Sequence, residues 1–280
     1  MLNALHKLLM SITTELTIYW GKHHWLLPPM HFGGQPGCTM VDAVHLLAQT
    51  VKHVWRNGKV VSALFLDIEG AFPNATMEHL LHNMRKRSLP HDFIHFMRLL
   101  LEDRQTTLCF DGYVSEPIHI DNGIRQGDPG SMLGFNFFNA DLLDISKGRK
   151  NEHVLAFVNN AVLLAIRMDF EQTHDILSGM MTRPGGALQW SREHNSPFEF
   201  SKFTLIDFTH NPAQVADLNP LVLPHATIKP ISTTQYLGII LDSRLNWNKH
   251  CSRAVKKGME YTLALRHLSK QSLGLSLRHI

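Results

Sequence analysis

Val60-Val61-Ser62-Ala63-Leu64-Phe65-Leu66 is a short apolar run rich in branched side chains, and it stops at Asp67. A run of that length and composition reads as a buried strand, and a charge at its end is usually a functional group or a cap. A second apolar pair, His153 to Val158 and Ala161 to Ile166, is separated only by Asn159-Asn160. Nothing longer than a tight hairpin fits between them, and asparagine tolerates the left-handed conformations that such turns use. A strand with a terminal acid and a hairpin with a polar tip are the two features from which the rest is read.

Working outward, Leu5, Leu8, Leu9, Ile12, Leu16, Tyr19 and Trp20 are spaced for one face of an N-terminal helix. A Pro/Gly-rich loop follows, and Thr39 with Asp42 three residues later approximates a capping box for a second helix with an apolar stripe at Met40, Val44, Leu47, Val51 and Val54. Helices are expected near Met77 to Arg87 and Phe93 to Leu101. A hairpin is expected around Asp111-Gly112, flanked by Thr106 to Phe110 and Val114 to Ile120. Ser131 caps an apolar helix, and a longer helix from Phe170 to His194 breaks at Pro184-Gly185-Gly186. Phe200 to Phe208, Thr227 to Ser232 and Tyr236 to Leu241 read as strands, with a closing helix from Trp247 to Ser269. The order gives an α+β domain, an antiparallel sheet backed by helices.

Composition sets bounds but does not choose a function. The 280 residues, 44% of them hydrophobic, suffice to close a core. Lys and Arg number 27 against 24 acids, a formal +3, which favours a polyanionic partner only weakly. The 19 histidines are scattered, without ligand spacing. Cys38, Cys109 and Cys251 lie too far apart for a zinc knuckle, and their odd number argues against a disulfide framework, so a reducing compartment fits. No apolar run of about 18 residues occurs, so a soluble location without membrane partners is expected.

The residues then reach a resemblance. Phe65-Leu66-Asp67-Ile68-Glu69-Gly70-Ala71-Phe72 resembles motif A of reverse transcriptases, and Gly123-Ile124-Arg125-Gln126-Gly127-Asp128-Pro129 the start of motif B. Ala156-Phe157-Val158-Asn159-Asn160-Ala161 stands where motif C has an aromatic residue, a variable residue and two aspartates. Ser201-Lys202-Phe203 is similar to motif D, and Tyr236-Leu237-Gly238-Ile239-Ile240-Leu241-Asp242 to motif E. His31-Phe32-Gly33-Gly34-Gln35-Pro36-Gly37 with Asp42-Ala43 resembles the last fingers motif of non-LTR, LINE-like retrotransposons. Each match alone is weak; their order over about 210 residues is what identifies the family.

The resemblance implies a palm at residues 59–243, partial fingers at 1–58 and the start of a thumb at 244–280. It implies RNA-directed DNA polymerase chemistry on an RNA template, a DNA primer and a dNTP, in the nucleus or cytoplasm. Two Mg²⁺ ions would activate the primer hydroxyl and steady the triphosphate, held by carboxylates because the ion is hard. Asp67 and the Ile68 carbonyl occupy metal-ligand positions; Asp67 alone reads equally well as a cap or turn residue. Phe72 matches the steric gate against a ribose hydroxyl, or is a core phenylalanine. Gln126 and Gly127 match a loop beside the incoming nucleotide, or form an ordinary helix entry. Lys202 matches a lysine near the leaving pyrophosphate, a candidate general acid, or is a solvated edge lysine. Tyr236, Leu237 and Gly238 match the primer grip, or belong to a buried strand.

The departures decide the expected activity. Asn159 and Asn160 replace both motif C aspartates, with amide oxygens that are neutral, weaker ligands. If this weakens transition-state stabilisation by about 4 kcal/mol, the rate falls roughly a thousandfold. Asp141, Asp144 and Glu69 are nearby in sequence as substitute ligands, but none sits at a position that the family uses. Gln35 and Cys38 stand where arginines are common in these elements. The chain also begins beyond the usual arginine-proline-isoleucine strand and ends within the thumb, without endonuclease or cysteine-rich segments, so a degenerate, truncated copy is expected. The reading is a reverse transcriptase-like domain whose catalysis is lost or strongly impaired, with Mg²⁺ bound weakly or not at all; the alternative is a non-catalytic nucleic-acid-binding module that keeps the template-primer cleft.

Overall fold

A computed structural model describes residues 4–125, 127–211 and 219–268. Helix α1 (Ala4–His23) leads into α2 (Met40–Arg56), whose start is fixed by the expected capping box: the Asp42 amide donates to the Thr39 hydroxyl, and the Asp42 carboxylate accepts from the Thr39 amide at 2.7 Å. Strand β1 (Val60–Asp67) follows, then the short α3 (Ala71–Asn74), α4 (Met77–Lys86) and α5 (His91–Leu101), the last opening at Pro90. Strands β2 (Arg104–Thr106) and β5 (Ile118–Ile120) pair below the tip formed by β3 (Cys109–Phe110) and β4 (Tyr113–Val114), which turns at Asp111-Gly112, both with positive φ.

Helices α6 (Ser131–Phe138) and α7 (Ala140–Asp144) precede the hairpin β6 (Glu152–Phe157) and β7 (Asn160–Arg167). The long helix expected next divides at its Pro-Gly-Gly as α8 (Phe170–Thr182) and α9 (Ala187–Glu193). A 3₁₀ turn at Phe200–Lys202 delivers β8 (Thr204–Phe208), so the first part of the strand expected from Phe200 is helical. Strands β9 (Leu221–Leu223) and β10 (Ala226–Ile228) pair, as do β11 (Thr233–Tyr236) and β12 (Ile239–Asp242), and α10 (Asn248–Leu268) follows. The expected single strand Tyr236–Leu241 is thus the turn of a hairpin: Leu237 and Gly238 both have positive φ, the conformation that matches strand twist in a two-residue loop.

The central sheet is antiparallel in the order β6-β7-β1-β8. Its inner strand β1 is buried on both faces, as the unbroken apolar run demands. Leu64 and Leu66 face a core completed by α6, α8 and α9, whereas Val61, Ala63 and Phe65 face α2 and the β11–β12 hairpin. One polar seam crosses the first face. The Ser62 hydroxyl donates to Asp207, whose carboxylate also meets His174 Nε2 at 3.0 Å, and Ser62 contacts Thr173 at 2.6 Å, tying α8 to β1 and β8. Period-two alternation from Val61, Ala63 and Phe65 puts Asp67, at the strand end, on the face shared with α2 and Tyr236.

Candidate active site

The register brings motif A and motif C together. Asp67 on β1 is the direct cross-strand partner of Asn160 on β7, a pairing that sets side-chain β-carbons about 4.5–5.5 Å apart. The two asparagines satisfy one another, Asn160 Nδ2 donating to Asn159 Oδ1 at 3.2 Å. The turn is displaced by one residue from its expected place: Phe157 pairs with Asn160, so Val158 and Asn159 form the loop and Asn160 opens β7. Val158 takes the left-handed position at φ 55°, an uncomfortable one for a β-branched residue.

Neighbouring groups hold that turn in place. Asn139 Nδ2 donates to the Val158 carbonyl at 2.7 Å, and Asn139 Oδ1 accepts from His31 Nε2 at 2.7 Å. Asn136 Nδ2 donates to the Gly33 carbonyl. The segment around His31 runs parallel to β6: Phe32 N donates to Ala156 O and Ala156 N to Met30 O. Gly33 lies so close to the tip that a β-carbon there would be 2.4 Å from Val158 Cγ2 and 2.7 Å from its amide nitrogen. Burial holds the His31 imidazole down to about 4, partly opposed by its bond to Asn139. Asn136 and Asn139 were not singled out from the sequence, though two amides at helical spacing in an otherwise apolar segment were the available signal.

Lys202 reaches the same centre from the 3₁₀ turn, with Nζ 2.9 Å from Asp67 Oδ2. Its approach is set by backbone: Glu199 N donates to Asp67 O, Glu69 N to Pro197 O, and Lys202 N to Glu199 O. The bond that Lys202 donates to Asp67, together with the charge of that carboxylate, raises the ammonium above the ordinary lysine range. Ile68 is buried and bridges to Phe198.

Phe72 is half-buried, its ring 5.3 Å from that of Phe135, and its carbonyl accepts from Ile124 N, which joins α3 to the loop before α6. Gly123 N donates to Ala75 O in the same junction, and Gly123 has φ 92° with Pro73 O against it, so only glycine fits. Gly127 lies farther along that loop with φ 80°. Gln126 lies outside the described residues, as do residues 269–280 at the end of the proposed thumb. Tyr236 is buried with its ring 5.2 Å from Phe65, one turn of the alternation below Asp67, and Leu237 and Gly238 form the exposed-side turn beyond it. Burial pushes the Tyr236 phenol up.

The donor set does not suit a pair of hard divalent ions. One carboxylate is present, flanked by two neutral amides and contacted by an ammonium, whereas two Mg²⁺ require several anionic oxygens. Of the acids near in sequence, Asp141 pairs with Lys86 and Arg87 and Asp144 with Arg87, whereas Glu69 is exposed at the rim. Among the described residues, no group of three or more His, Cys, Asp or Glu side chains is arranged to hold a metal. None of the described helices is long and apolar enough to cross a membrane.

Comparison with known proteins adds sequence and fold relatives. Residues 3–206 match the model of a family described as reverse transcriptase (RNA-dependent DNA polymerase). The chain is 25% identical over 231 residues to the probable RNA-directed DNA polymerase from transposon X-element of Drosophila melanogaster, covering 80% of this chain and 24% of that protein. It is 24% identical over 231 residues to the RNA-directed DNA polymerase from mobile element jockey of the same organism, again covering 80% and 24%. The chain thus spans about a quarter of the length of these relatives. The fold is similar to apo telomerase from Candida tropicalis, with TM-score 0.54 and 9% identity over 86% of this chain and 40% of that one.

Proposed function

The chain belongs to the reverse transcriptase (RNA-dependent DNA polymerase) family, as a domain of the non-LTR, LINE-like kind, and we propose that its nucleotidyl transfer is lost or strongly impaired. Family members use divalent metal ions and a nucleic-acid template. The observation that carries the proposal is the pairing of Asp67 with an asparagine, Asn160, where transfer calls for a second carboxylate. In this reading Asp67 and the Ile68 carbonyl stand at metal-ligand positions, while Asn159 in the turn and Asn160 at the start of β7 bring no charge to it. Residues 1–58, 59–243 and 244–280 are read as fingers, palm and thumb portions.

The test is primer extension on an RNA template with Mg²⁺ or Mn²⁺. The wild type is expected to give no template-dependent product, and Asn159→Asp with Asn160→Asp is expected to restore some. Product from the wild type that disappears in Asp67→Ala would overturn the proposal.

A second reading, a binding module that retains the template-primer cleft, is favoured by the intact β11–β12 hairpin and the bases beside it. Tyr236 packs on Phe65, Arg253 reaches Gln235, and Lys249 reaches Thr233. In this reading Tyr236, Leu237 and Gly238 grip the primer, while Phe72, Gln126 and Gly127 line the nucleotide side. Binding of an RNA–DNA hybrid that weakens steeply with salt supports it, because phosphate contacts release counterions; binding indifferent to salt counts against it.

A further inference from the structure

We infer that Lys202 is the resident countercharge of Asp67, a protein-borne cation occupying the place of a divalent ion, so that the centre excludes metal actively as well as lacking the ligands for it. The inference rests on the reading that amides have replaced the motif C carboxylates, and it goes beyond that reading by assigning a competitor.

Three observations lead to it. First, backbone bonds set where the lysine, whose side chain is itself exposed, approaches Asp67. Segment 197–202 is tied to both sides of Asp67, through Glu199 N to Asp67 O at 3.0 Å and Glu69 N to Pro197 O at 2.9 Å, and Phe65 pairs with Thr204 just beyond the 3₁₀ turn. This leaves Lys202 Nζ 2.9 Å from Asp67 Oδ2. Second, the ammonium is the cation bonded to Asp67. Asp67 contributes one negative charge and Lys202 one positive, while Asn159 and Asn160 contribute none and are bonded to each other. An ammonium already bonded to a carboxylate offsets part of the attraction that a second cation would feel. Third, the other acids near Lys202, Glu199 and Glu69, lie on the exposed or half-buried rim, and Glu199 Oε1 accepts from the Ser201 hydroxyl. They hold the ammonium at the rim without supplying a second carboxylate beside Asp67. A divalent ion taking Asp67 Oδ2 must therefore displace the ammonium as well as shed water.

Restoring the two aspartates alone should accordingly give a metal site that is still handicapped. Mn²⁺ titration followed by the paramagnetic resonance of the free ion measures this directly, with circular dichroism melts to verify that each variant is folded. The wild type is expected to leave the free Mn²⁺ signal unchanged. Asn159→Asp/Asn160→Asp is expected to bind Mn²⁺, and adding Lys202→Ala to tighten that binding about tenfold, a coupling of ordinary size between two mutually exclusive occupants. Lys202→Gln is the parallel variant, which keeps the length of the side chain in case alanine unfolds the turn. Equal Mn²⁺ affinity with and without the Lys202 ammonium in the restored background would overturn the inference, as would wild-type Mn²⁺ binding abolished by Asp67→Ala. Failure here is distinguishable from failure of the inactive-polymerase reading: primer extension by the wild type sinks that reading, whereas an unchanged Mn²⁺ affinity sinks only this one.

Discussion

His31 illustrates what a single buried side chain does to the whole site. Its ring lies within the contact between the glycine-rich segment and β6, and its Nε2 proton is what orients Asn139 toward the Val158 carbonyl. Because burial lowers its folded-state value to about 4 from an ordinary 6.5, the unfolded chain takes up a proton at higher pH than the native one. The stability contributed by neutral His31 is therefore complete above about pH 6.5 and is lost progressively as pH falls toward 4, amounting to about 3 kcal/mol in all. Urea unfolding of the wild type and His31→Gln across pH 4 to 7 should give curves that converge at the acid end. Parallel curves would show that His31 does not titrate with folding. At this scale Asp67, Asn159 and Asn160 stand out in the sequence, as a charge at a strand end and polar residues between apolar runs, whereas Lys202 is singled out only by the resemblance to motif D. Asn136 and Asn139 do not stand out, since their partners, two backbone carbonyls and the His31 ring, are distant in sequence.

At the scale of elements, the sequence placed the helices and most strands, and it failed where a backbone conformation depends on what packs against it. The motif C turn fell on Val158-Asn159 rather than Asn159-Asn160, although asparagine accepts positive φ more easily than valine. Asn139 holding the Val158 carbonyl, and Gly33 against the Val158 side chain, supply the tertiary reason. Similarly, Tyr236 to Leu241 alternates like one strand, and only the positive φ of Leu237 and Gly238 divides it. The packing of Gly33 on the turn makes a paired prediction. Gly33→Ala must push a methyl into Val158 and should destabilise by about 1–3 kcal/mol, the ordinary cost of overpacking. Gly179→Ala, in α8 with no atom within 4 Å of the new carbon, should instead stabilise by about 0.5–1 kcal/mol through helix propensity. Denaturant midpoints of the two variants should shift in opposite directions; a harmless Gly33→Ala would mean that the glycine-rich segment is not seated on the hairpin.

For the whole molecule, the sheet with its two covered faces is the rigid part, and α10 is its contrast. The core residues of β1 and β7 are almost fully buried, whereas every described side chain from Cys251 to Arg266 is exposed. The start of the helix is anchored: His250 accepts from Ile240 N, Asp242 accepts from the amides of Arg244, Asn246 and Trp247, and Arg253 reaches Gln235. The closing helix expected from Trp247 is present as α10, but the sequence does not reveal whether its apolar residues find a partner, and Val255, Met259 and Leu263 are exposed. Most helical stability in proteins comes from packing of an apolar face, so α10, whose described side chains from Cys251 to Arg266 are exposed, should open at a cost near 0–2 kcal/mol, while β1 and β7 should open only with global unfolding. Hydrogen exchange read by mass spectrometry should then show the amides beyond Arg253 exchanging at least about a thousandfold faster than those of Val61 to Leu66, a gap of about 4 kcal/mol. Protection of α10 equal to that of β1 would show that its apolar stripe is covered in solution, and a dependence of that protection on protein concentration would identify a second copy of the chain as the cover.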